Sequence, residues 1–259
     1  MTTATLAVVI PCLNEAARLP LLLADLASAP DGLIAEVTVV DGGSSDGTPQ
    51  LVRLAGAQLL RASPGRGQQL QRGVAATTAP WLLLLHADCR LLPGWSAALQ
   101  QAMLQPEAAW WFDLRVEGAG LALRLMELAV RLRSQLRQLP YGDQGLLLPR
   151  TLLERTGGVP EIPLMEDLLL IQQLQPLAPI RRLGSPLQVD GRRWRRHGVL
   201  GTAWRNARLR QAWRRGCSPE QLAARYYNRL GGEAAPTAPQ AAPWHAQQAG
   251  SGFCSPGSS

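Results

Sequence analysis

The chain of 259 residues contains no lysine, so its 26 basic residues are all arginine, and the formal net charge is +7. The glycine-rich stretch VDGGSSDGT therefore cannot be a P-loop, which needs GxxxxGK[ST], and it does not match GxGxxG either. Arginine binds phosphates and carboxylates through paired hydrogen bonds, so the composition favours acidic ligands. A codon bias explains the missing lysine equally well.

Cysteines and long apolar runs are also scarce. No two of the four cysteines form a CxxC pair, which argues against a zinc ribbon or a disulfide framework and fits a reducing cytoplasm. No uninterrupted apolar run approaches the roughly 20 residues that span a bilayer, and the first residues lack the basic region of a secretory signal. We therefore expect a cytoplasmic protein.

Short apolar runs alternate with helical periods in the first half of the chain. The runs at residues 5–10, 35–41 and 81–87 are typical of strands that are buried on both faces. The segments between them have helical spacing, and Asn14 is a candidate N-cap of the first helix. This alternation predicts an α/β fold built on a parallel sheet.

The second half is less regular and more basic. Residues 121–139 predict an amphipathic helix with arginines on or beside its polar side, and packing against the sheet is the preferred interpretation. The alternative is that this helix and the basic segment 181–215 seat the protein on an anionic membrane. Residues 231–259 are rich in Gly, Ala, Pro, Gln and Ser, which predicts a disordered tail.

Three polar clusters follow predicted strands, at residues 11–15, 41–48 and 86–88. Because the carboxyl ends of parallel strands meet at one edge of a sheet, we expect these clusters to line one ligand site. A carboxylate such as Asp88 beside a buried strand end is costly unless it is paired or liganded. It suits a hard divalent cation that keeps several waters and shares diphosphate oxygens.

Each of these elements also has an ordinary explanation when it is taken alone. His86 can be a structural histidine, and the VDGGSSDGT loop can be a simple turn instead of an anion site at a helix N-terminus. Glu166 and Asp167 can supply favourable negative charge at the start of a helix, which contributes about 0.3–1 kcal/mol. Only the combination of motifs favours a specific function.

A series of motifs runs in order between residues 5 and 200, namely PCLNE, VVDGGSSDGT, GRGQQLQRG, LLLLHAD, YGDQG, MED and RRW. Together they resemble family 2 glycosyltransferases with the GT-A fold, and look most like the small bacterial branch with HAD, PYGDQG and a PLMED-type segment. The resemblance implies an α/β, Rossmann-like fold with a mostly parallel central sheet flanked by helices and a helical, basic C-terminal extension.

The corresponding domain organisation begins with a glycosyltransferase domain over residues 1–215. Within this domain we expect a nucleotide-binding half over 1–118 and an acceptor half over 119–215. A C-terminal helix over 216–230 and the tail over 231–259 complete the expected organisation.

The resemblance also assigns roles to individual positions. Asp167, with Glu166 beside it, would be the base that deprotonates the acceptor hydroxyl, and Asp88 would hold a metal and the donor's diphosphate. The nucleotide-sugar site would comprise Pro11, Asn14, Glu15, Asp41, Arg66, Gln69, His86, Ala87 and Asp88. The donor sugar and the acceptor would be bordered by Gly142, Asp143, Gln144, Arg193 and Trp194.

The implied reaction moves a sugar, with inversion, from a nucleotide-diphosphate sugar to a hydroxyl acceptor, which can be lipid-linked. The implied cofactor is Mn²⁺ or Mg²⁺, bound by Asp88 and His86, and the enzyme would be cytoplasmic or peripheral at the inner face of the membrane. His86 replaces the first Asp of the DxD pattern, and histidine is a poorer Mg²⁺ ligand than a carboxylate. Gln188 lies six residues before Trp194 instead of four, which argues against a processive, polymer-extruding enzyme.

Two other functions remain open from the residues alone. A nucleotidyltransferase also uses a parallel sheet and a metal-held nucleotide, but its usual glycine-rich loop with a following lysine is missing. A nucleic-acid-binding protein fits the 11 arginines and three tryptophans of residues 181–215. That function leaves residues 1–170 unexplained, so no nucleic-acid partner is expected.

Overall fold

The computed structural model describes residues 5–227, except the side chains of Arg193, His197, Leu200 and residues 225–227. The chain forms an eight-stranded sheet flanked by helices. The strands are β1 Leu6–Cys12, β2 Ile34–Asp41, β3 Gln58–Arg61, β4 Trp81–Leu84, β5 Cys89–Leu91, β6 Ala109–Val116, β7 Leu146–Pro149 and β8 Ile180–Val189. The helices are α1 Leu19–Ala27, α2 Thr48–Leu54, α3 Arg66–Ala75, α4 Trp95–Ala102, α5 Leu121–Arg137, α6 Arg150–Arg155, α7 Glu166–Leu174, α8 Arg192–His197, α9 Val199–Arg214 and α10 Pro219–Tyr227.

The sheet has the strand order β3-β2-β1-β4-β7-β6-β8-β5. Strands β3, β2, β1 and β4 are parallel, and so are β6 and β8. Strand β7 runs antiparallel to β4 and β6, and the short β5 runs antiparallel to β8. The prediction of an α/β fold with a central sheet between helices is confirmed, and the antiparallel pairs make the second half of the sheet mixed.

Strands β1 and β4 are apolar on both faces because both faces are covered. In β1, Leu6, Val8 and Ile10 belong to one core cluster, whereas Ala7 and Val9 belong to a second cluster on the other side of the sheet. All five side chains are fully buried. In these two strands the polar groups therefore follow the strand end, where a site can form.

The first helix begins at Leu19 with Arg18 as its N-cap, so the prediction that Asn14 caps it is wrong. Pro20 lies in the first turn, where its missing N–H has no intrahelical partner to lose. Asn14 has a left-handed backbone (φ 53°) in the loop that follows β1. Its side chain is therefore available to the neighbouring loop.

Helix α3 packs closely on its neighbours through two glycines. A Cβ at Gly73 would come within 2.4 Å of Cγ1 of Val9, and one at Gly67 within 2.1 Å of the carbonyl oxygen of Pro160. A larger residue at either position would force the backbone apart. The start of α3, which carries Arg66, is thereby held against the segment that leads into α7.

The C-terminal helices form a third, smaller core with α7. Its buried members are Leu164, Leu168, Trp213, Leu222 and Ala223. Helix α10 lies within the expected C-terminal helix 216–230, whereas the expected tail 231–259 lies outside the described residues. Within residues 5–227, no helix combines the length and the hydropathy needed to cross a bilayer.

Candidate active site

The carboxyl ends of β1, β2 and β4 meet at one edge of the sheet. Asp41 ends β2, is almost completely buried, and accepts hydrogen bonds from the N–H groups of Gly43 at 3.3 Å and Ser44 at 3.1 Å. Gln69 donates to carbonyl oxygens at the ends of β1 and β2, at 2.9 and 2.7 Å. Both side chains hold the edge of the sheet in shape, and their contact with a nucleotide stays a prediction.

The loops that follow β1 and β2 are bonded to each other. The side-chain oxygen of Asn14 accepts from the N–H of Ser45 at 2.9 Å. In return, the hydroxyls of Ser44 and Thr48 accept from the N–H groups of Asn14 and Glu15, at 2.8 and 2.9 Å. The N–H groups at the start of the glycine-rich loop thus bond within the protein, which favours a simple turn over an anion site. The same bonds fix the position of Glu15.

Glu15 and Asp88 lie together in a charged cleft. Burial, followed by the negative charge of Asp88, raises the pKa of Glu15 to about 7, and Arg192 partly offsets this shift. Arg192 lies 3.4 Å from Glu15 (Nη2 to Oε2) and also pairs with Asp190. Arg18 pairs with Asp190 at 3.1 Å, and both residues line a cavity with Asp88. The cleft thus contains both carboxylates, which can bind a cation, and guanidinium groups, which can bind phosphate oxygens.

Asp167 and His86 meet at Gly142. The N–H of Gly142 donates to Oδ2 of Asp167 at 2.6 Å, and the N–H of Leu168 donates to Oδ1 at 2.7 Å. A Cβ at Gly142 would lie 2.8 Å from Nε2 of His86 and 3.1 Å from Oδ2 of Asp167. Both side chains therefore face the same side of Gly142. The predicted base thus lies beside the short turn that carries Asp88.

Glu166 precedes Asp167 at the start of α7 and is only 3% exposed. Burial, followed by the negative charge of Asp167, raises the pKa of Glu166 to about 7, and Arg66 opposes the shift. Arg66 therefore lies near the two carboxylates, although the sequence separates them by a hundred residues. Since Asp167 is half-buried and Glu166 is enclosed, Asp167 is the more accessible of the pair.

The enclosed Glu166 makes stability depend on pH. Its pKa rises from an ordinary 4.5 to about 7 in the folded chain, so the folded state binds the proton more tightly and stability falls as pH rises through this window. We expect Glu166→Gln to be more stable than the wild type at pH 8, by about 3 kcal/mol or roughly 6–12 °C in Tm. The gap should be much smaller at pH 5. Thermal unfolding at both pH values measures it.

The matched control is Glu161→Gln, which changes an exposed carboxylate five residues earlier. We expect it to leave Tm unchanged at both pH values. If the difference in Tm between Glu166→Gln and the wild type is the same at pH 5 and pH 8, the protonation of Glu166 does not cause that difference.

The turn that follows Tyr141 is anchored to α5. Gln144 is fully buried, and its side-chain oxygen accepts from Oγ of Ser134 at 2.8 Å and from Nη2 of Arg133 at 3.0 Å. Arg133 also lies over the ring of Tyr141, 3.7 Å from its centroid. Asp143 is half-buried, and its charge acts on Arg133. Gln144 therefore supports from inside the same turn in which the N–H of Gly142 points at the predicted base.

Comparison with known proteins identifies the family. The family model described as Glycosyl transferase family 2 matches residues 7–135, from β1 into α5. The chain belongs to glycosyltransferase family 2. The prediction from the seven motifs is thereby confirmed.

Curated relatives of this family 2 member align over limited segments. Glucosyl-3-phosphoglycerate synthase of Mycobacterium tuberculosis is 31% identical over 93 residues, which make up 32% of this chain and 29% of that protein. An uncharacterized glycosyltransferase of the same organism is 42% identical over 82 residues, 31% of this chain and 35% of that protein. The matched part thus spans about a third of each relative's length.

Solved structures extend the likeness to about 72% of the chain. Glucosyl-3-phosphoglycerate synthase from M. tuberculosis, in complex with Mn²⁺, UDP and glucosyl-3-phosphoglycerate, has a TM-score of 0.53 and 26% identity, over 72% of this chain and 70% of that one. S. aureus TarS 1–349 in complex with UDP-GlcNAc has a TM-score of 0.57 at 19% identity, over 73% and 59%. The GT-A fold of this family 2 member is therefore established.

The remaining predicted site residues of this family 2 member differ in how far they are buried. Pro11, in β1, and Ala87, between His86 and Asp88, are buried. Trp194 is half-buried and packs against the larger core cluster. The side chain of Arg193 lies outside the described residues, and its role stays a prediction.

Three residues of the charged cleft were missed by sequence reasoning, namely Arg18, Asp190 and Arg192. The available signal was the stretch DGRRW, in which Asp190 and Arg192 stand directly before the RW pair. The sequence alone identifies this stretch only as basic, since its carboxylate partners lie in loops far earlier in the chain.

A metal site built wholly from protein side chains is absent from the described part of the chain, where no three His, Cys, Asp or Glu residues are suitably grouped. The charge of Asp88 acts on Glu15 and Arg192, whereas Nε2 of His86 lies next to Gly142, so the two predicted ligands have different neighbours. A hard cation that keeps waters and binds phosphate oxygens needs only one or two carboxylates from the protein. Asp88, with Glu15 near it, fits that requirement.

Proposed function

We propose that this protein is an inverting glycosyltransferase that moves a sugar from a nucleotide-diphosphate sugar to a hydroxyl acceptor. The observation that supports this most directly is the turn at residues 86–88, because its two ends face two different groups. His86 lies beside Asp167, and Asp88 lies beside Glu15. A base and a cation-binding carboxylate are thus joined by one short turn, as transfer between a diphosphate donor and an alcohol requires.

The proposed donor is a uridine-diphosphate sugar. Structures of glucosyl-3-phosphoglycerate synthase contain UDP or UDP-glucose with Mn²⁺, and TarS contains UDP-GlcNAc. The charged cleft of this chain offers Arg18 and Arg192 beside Asp88 for the diphosphate. The uridine contacts are expected from the loops of Asn14 and Asp41.

The proposed cofactor is Mn²⁺ or Mg²⁺, held by Asp88 with diphosphate oxygens and water. When bound, the cation would stabilise the negative charge that develops on the departing nucleoside diphosphate. Arg192 contributes positive charge on the same side of the cleft, and Glu15 orients it. His86 as a second metal ligand stays a prediction.

Asp167 is the proposed base. The N–H groups of Gly142 and Leu168 each bond one of its oxygens, so the carboxylate is held at a fixed angle. A carboxylate oxygen accepts more than one hydrogen bond, and Asp167 therefore keeps capacity for the acceptor hydroxyl. Removal of that proton as the oxygen attacks the anomeric carbon gives one displacement with inversion.

UDP release from UDP-glucose and UDP-GlcNAc, with and without Mn²⁺, tests the proposal. A supporting result is metal-dependent release of UDP that needs an added alcohol acceptor, with an inverted anomeric configuration by NMR. Cleavage that requires pyrophosphate would instead indicate a nucleotidyltransferase. Membership in family 2 leaves that alternative and the nucleic-acid-binding alternative without support.

Gly142→Ala tests the positions of His86 and Asp167 without replacing either residue. The added Cβ pushes His86 and Asp167 apart, and misplacement by about 1 Å costs up to roughly 100-fold in rate, so we expect turnover to fall about 10- to 100-fold. Tm should change little because only side-chain ends must move. Steady-state UDP release measures the effect.

Gly201→Ala is the matched control, since a Cβ at that helical position meets no atom within 4 Å. It should retain full turnover. Wild-type turnover in Gly142→Ala would remove the proposed role of this contact.

Domain roles and location complete the proposal. Residues 1–118 would bind the donor and residues 119–215 the acceptor, which the contact between α5 and the Tyr141 turn supports. Lipid-linked hydroxyls are one acceptor class to test. A cytoplasmic location fits the described cysteines, Cys12, Cys89 and Cys217, all of which are free thiols.

A further inference from the structure

Helix α5 buries two polar side chains, Glu127 and Ser134, on its inner face. Glu127 is 9% exposed, and its carboxylate accepts from the N–H of Val116 at 2.8 Å and pairs with Arg115 and Arg124. Ser134 is fully buried against Gln144, as described above. The inner face of the helix also packs Leu123, Met126 and Val130 against the core, so it combines apolar contacts with these polar bonds. Its most exposed leucines are left on the outward side.

The outward side forms a continuous leucine stripe. The exposed leucines of α5 are Leu121 (74%), Leu125 (57%), Leu128 (40%), Leu132 (47%) and Leu136 (82%). Their spacing of three or four residues aligns them along one face, over a length of about 22 Å. Every other exposed position between the first and the last of them is alanine or glutamine. A stripe of this length without a charge is unusual on a free protein surface.

The helix that contacts α5 is basic. Helix α9 packs beside α5, carries no acidic residue and exposes two of its four arginines, Arg208 and Arg214. On α9, Trp204 is 61% exposed, and the guanidinium of Arg208 lies 4.6 Å from the centroid of its ring. Arg137 is exposed at the end of α5. The acidic residue of α5, Glu127, is neutralised inside the fold.

We infer that the leucine stripe of α5 and the basic surface of α9 form a docking face for an anionic lipid bilayer. Leucine and tryptophan side chains enter the interface between headgroups and acyl chains, while arginines beside them bind lipid phosphates. A second copy of the chain would bring the same positive charges against one another, so anionic lipid is the better complement. This surface lies on the opposite side of α5 from Ser134. Its binding to lipid can therefore be measured without enzymatic turnover.

Flotation with lipid vesicles tests the docking face. The full chain is mixed with vesicles of phosphatidylcholine alone or with 30% phosphatidylglycerol, a fraction set at roughly the anionic content at which basic surfaces bind. We expect flotation with the anionic vesicles, weakened by salt. In the triple variant Leu125→Gln, Leu128→Gln and Leu132→Gln, the bound fraction should fall at least about tenfold.

The matched control is the double variant Leu54→Gln and Leu104→Gln, which changes two leucines that are 84% and 71% exposed elsewhere. It should float like the wild type. Light scattering without lipid and UDP release from UDP-glucose show whether the triple variant keeps its mass and fold. Three results would each overturn the inference: no flotation of the wild type, equal loss in the control, or a wild-type dimer that the triple variant dissociates without any lipid binding.

Discussion

Asp167→Asn is expected to lower kcat by about 10²–10⁴-fold while donor affinity stays nearly unchanged. The substitution removes the group that takes the acceptor proton but keeps the size and shape of the side chain. The distances of 2.6 and 2.7 Å from Asp167 to two backbone N–H groups indicate a fixed carboxylate, and an amide can keep only one of these bonds. Steady-state UDP release and titration of UDP-sugar measure the two quantities.

Asp31→Asn is the control for this variant, because it makes the same change at an exposed position between α1 and β2. It should behave like the wild type. Equal losses of donor affinity and turnover in Asp167→Asn would mean that Asp167 binds the donor, and the assignment as base would then be wrong.

Asp88→Asn is expected to abolish the metal-dependent part of donor binding and to lower turnover by at least about 100-fold. A ligand that binds only the folded state raises its Tm, so UDP with Mn²⁺ should stabilise the wild type more than UDP alone. In the variant the two conditions should give the same Tm. The ligand-free variant should not be destabilised, because the change removes a like charge beside Glu15.

Comparison with His86→Asn separates the two predicted metal ligands. Since His86 faces Gly142 and Asp167, we expect this variant to lose turnover while Mn²⁺ still adds to the stabilisation by UDP. A normal metal-dependent shift in Asp88→Asn would contradict the assignment of Asp88.

The first half of the fold was predictable because a strand that is buried on both faces has an unbroken run of apolar residues. The fully buried β1, and β4 with it, read as unbroken apolar runs, and the polar residues that follow them had to emerge at the carboxyl edge. Asp41, His86 and Asp88 were therefore found as candidates. The roles of Asp88 and Asp167 came from the order of the motifs, since neither residue is distinctive alone.

Other features were hidden because they depend on contacts between distant segments. Strand β5 has only three residues and exists through pairing with β8, a hundred positions later. The start of α1 depends on loop bonds that draw Asn14 towards Ser45. Arg192 joins the cleft only because Glu15 and Asp190 are brought together there.

Helix α5 illustrates the difference between what the sequence determined and what the tertiary structure decided. The sequence by itself determined the α/β class, the buried strands, the polar strand ends and the side chains that share a face of α5, since these follow from local periodicity and burial. Only the tertiary structure decided which face of α5 is covered. Glu127 and Ser134 find their partners in β6 and the active-site turn, and Leu123, Met126 and Val130 pack against the core on the same face. Because buried polar groups must be bonded, these contacts together leave the other leucines outward.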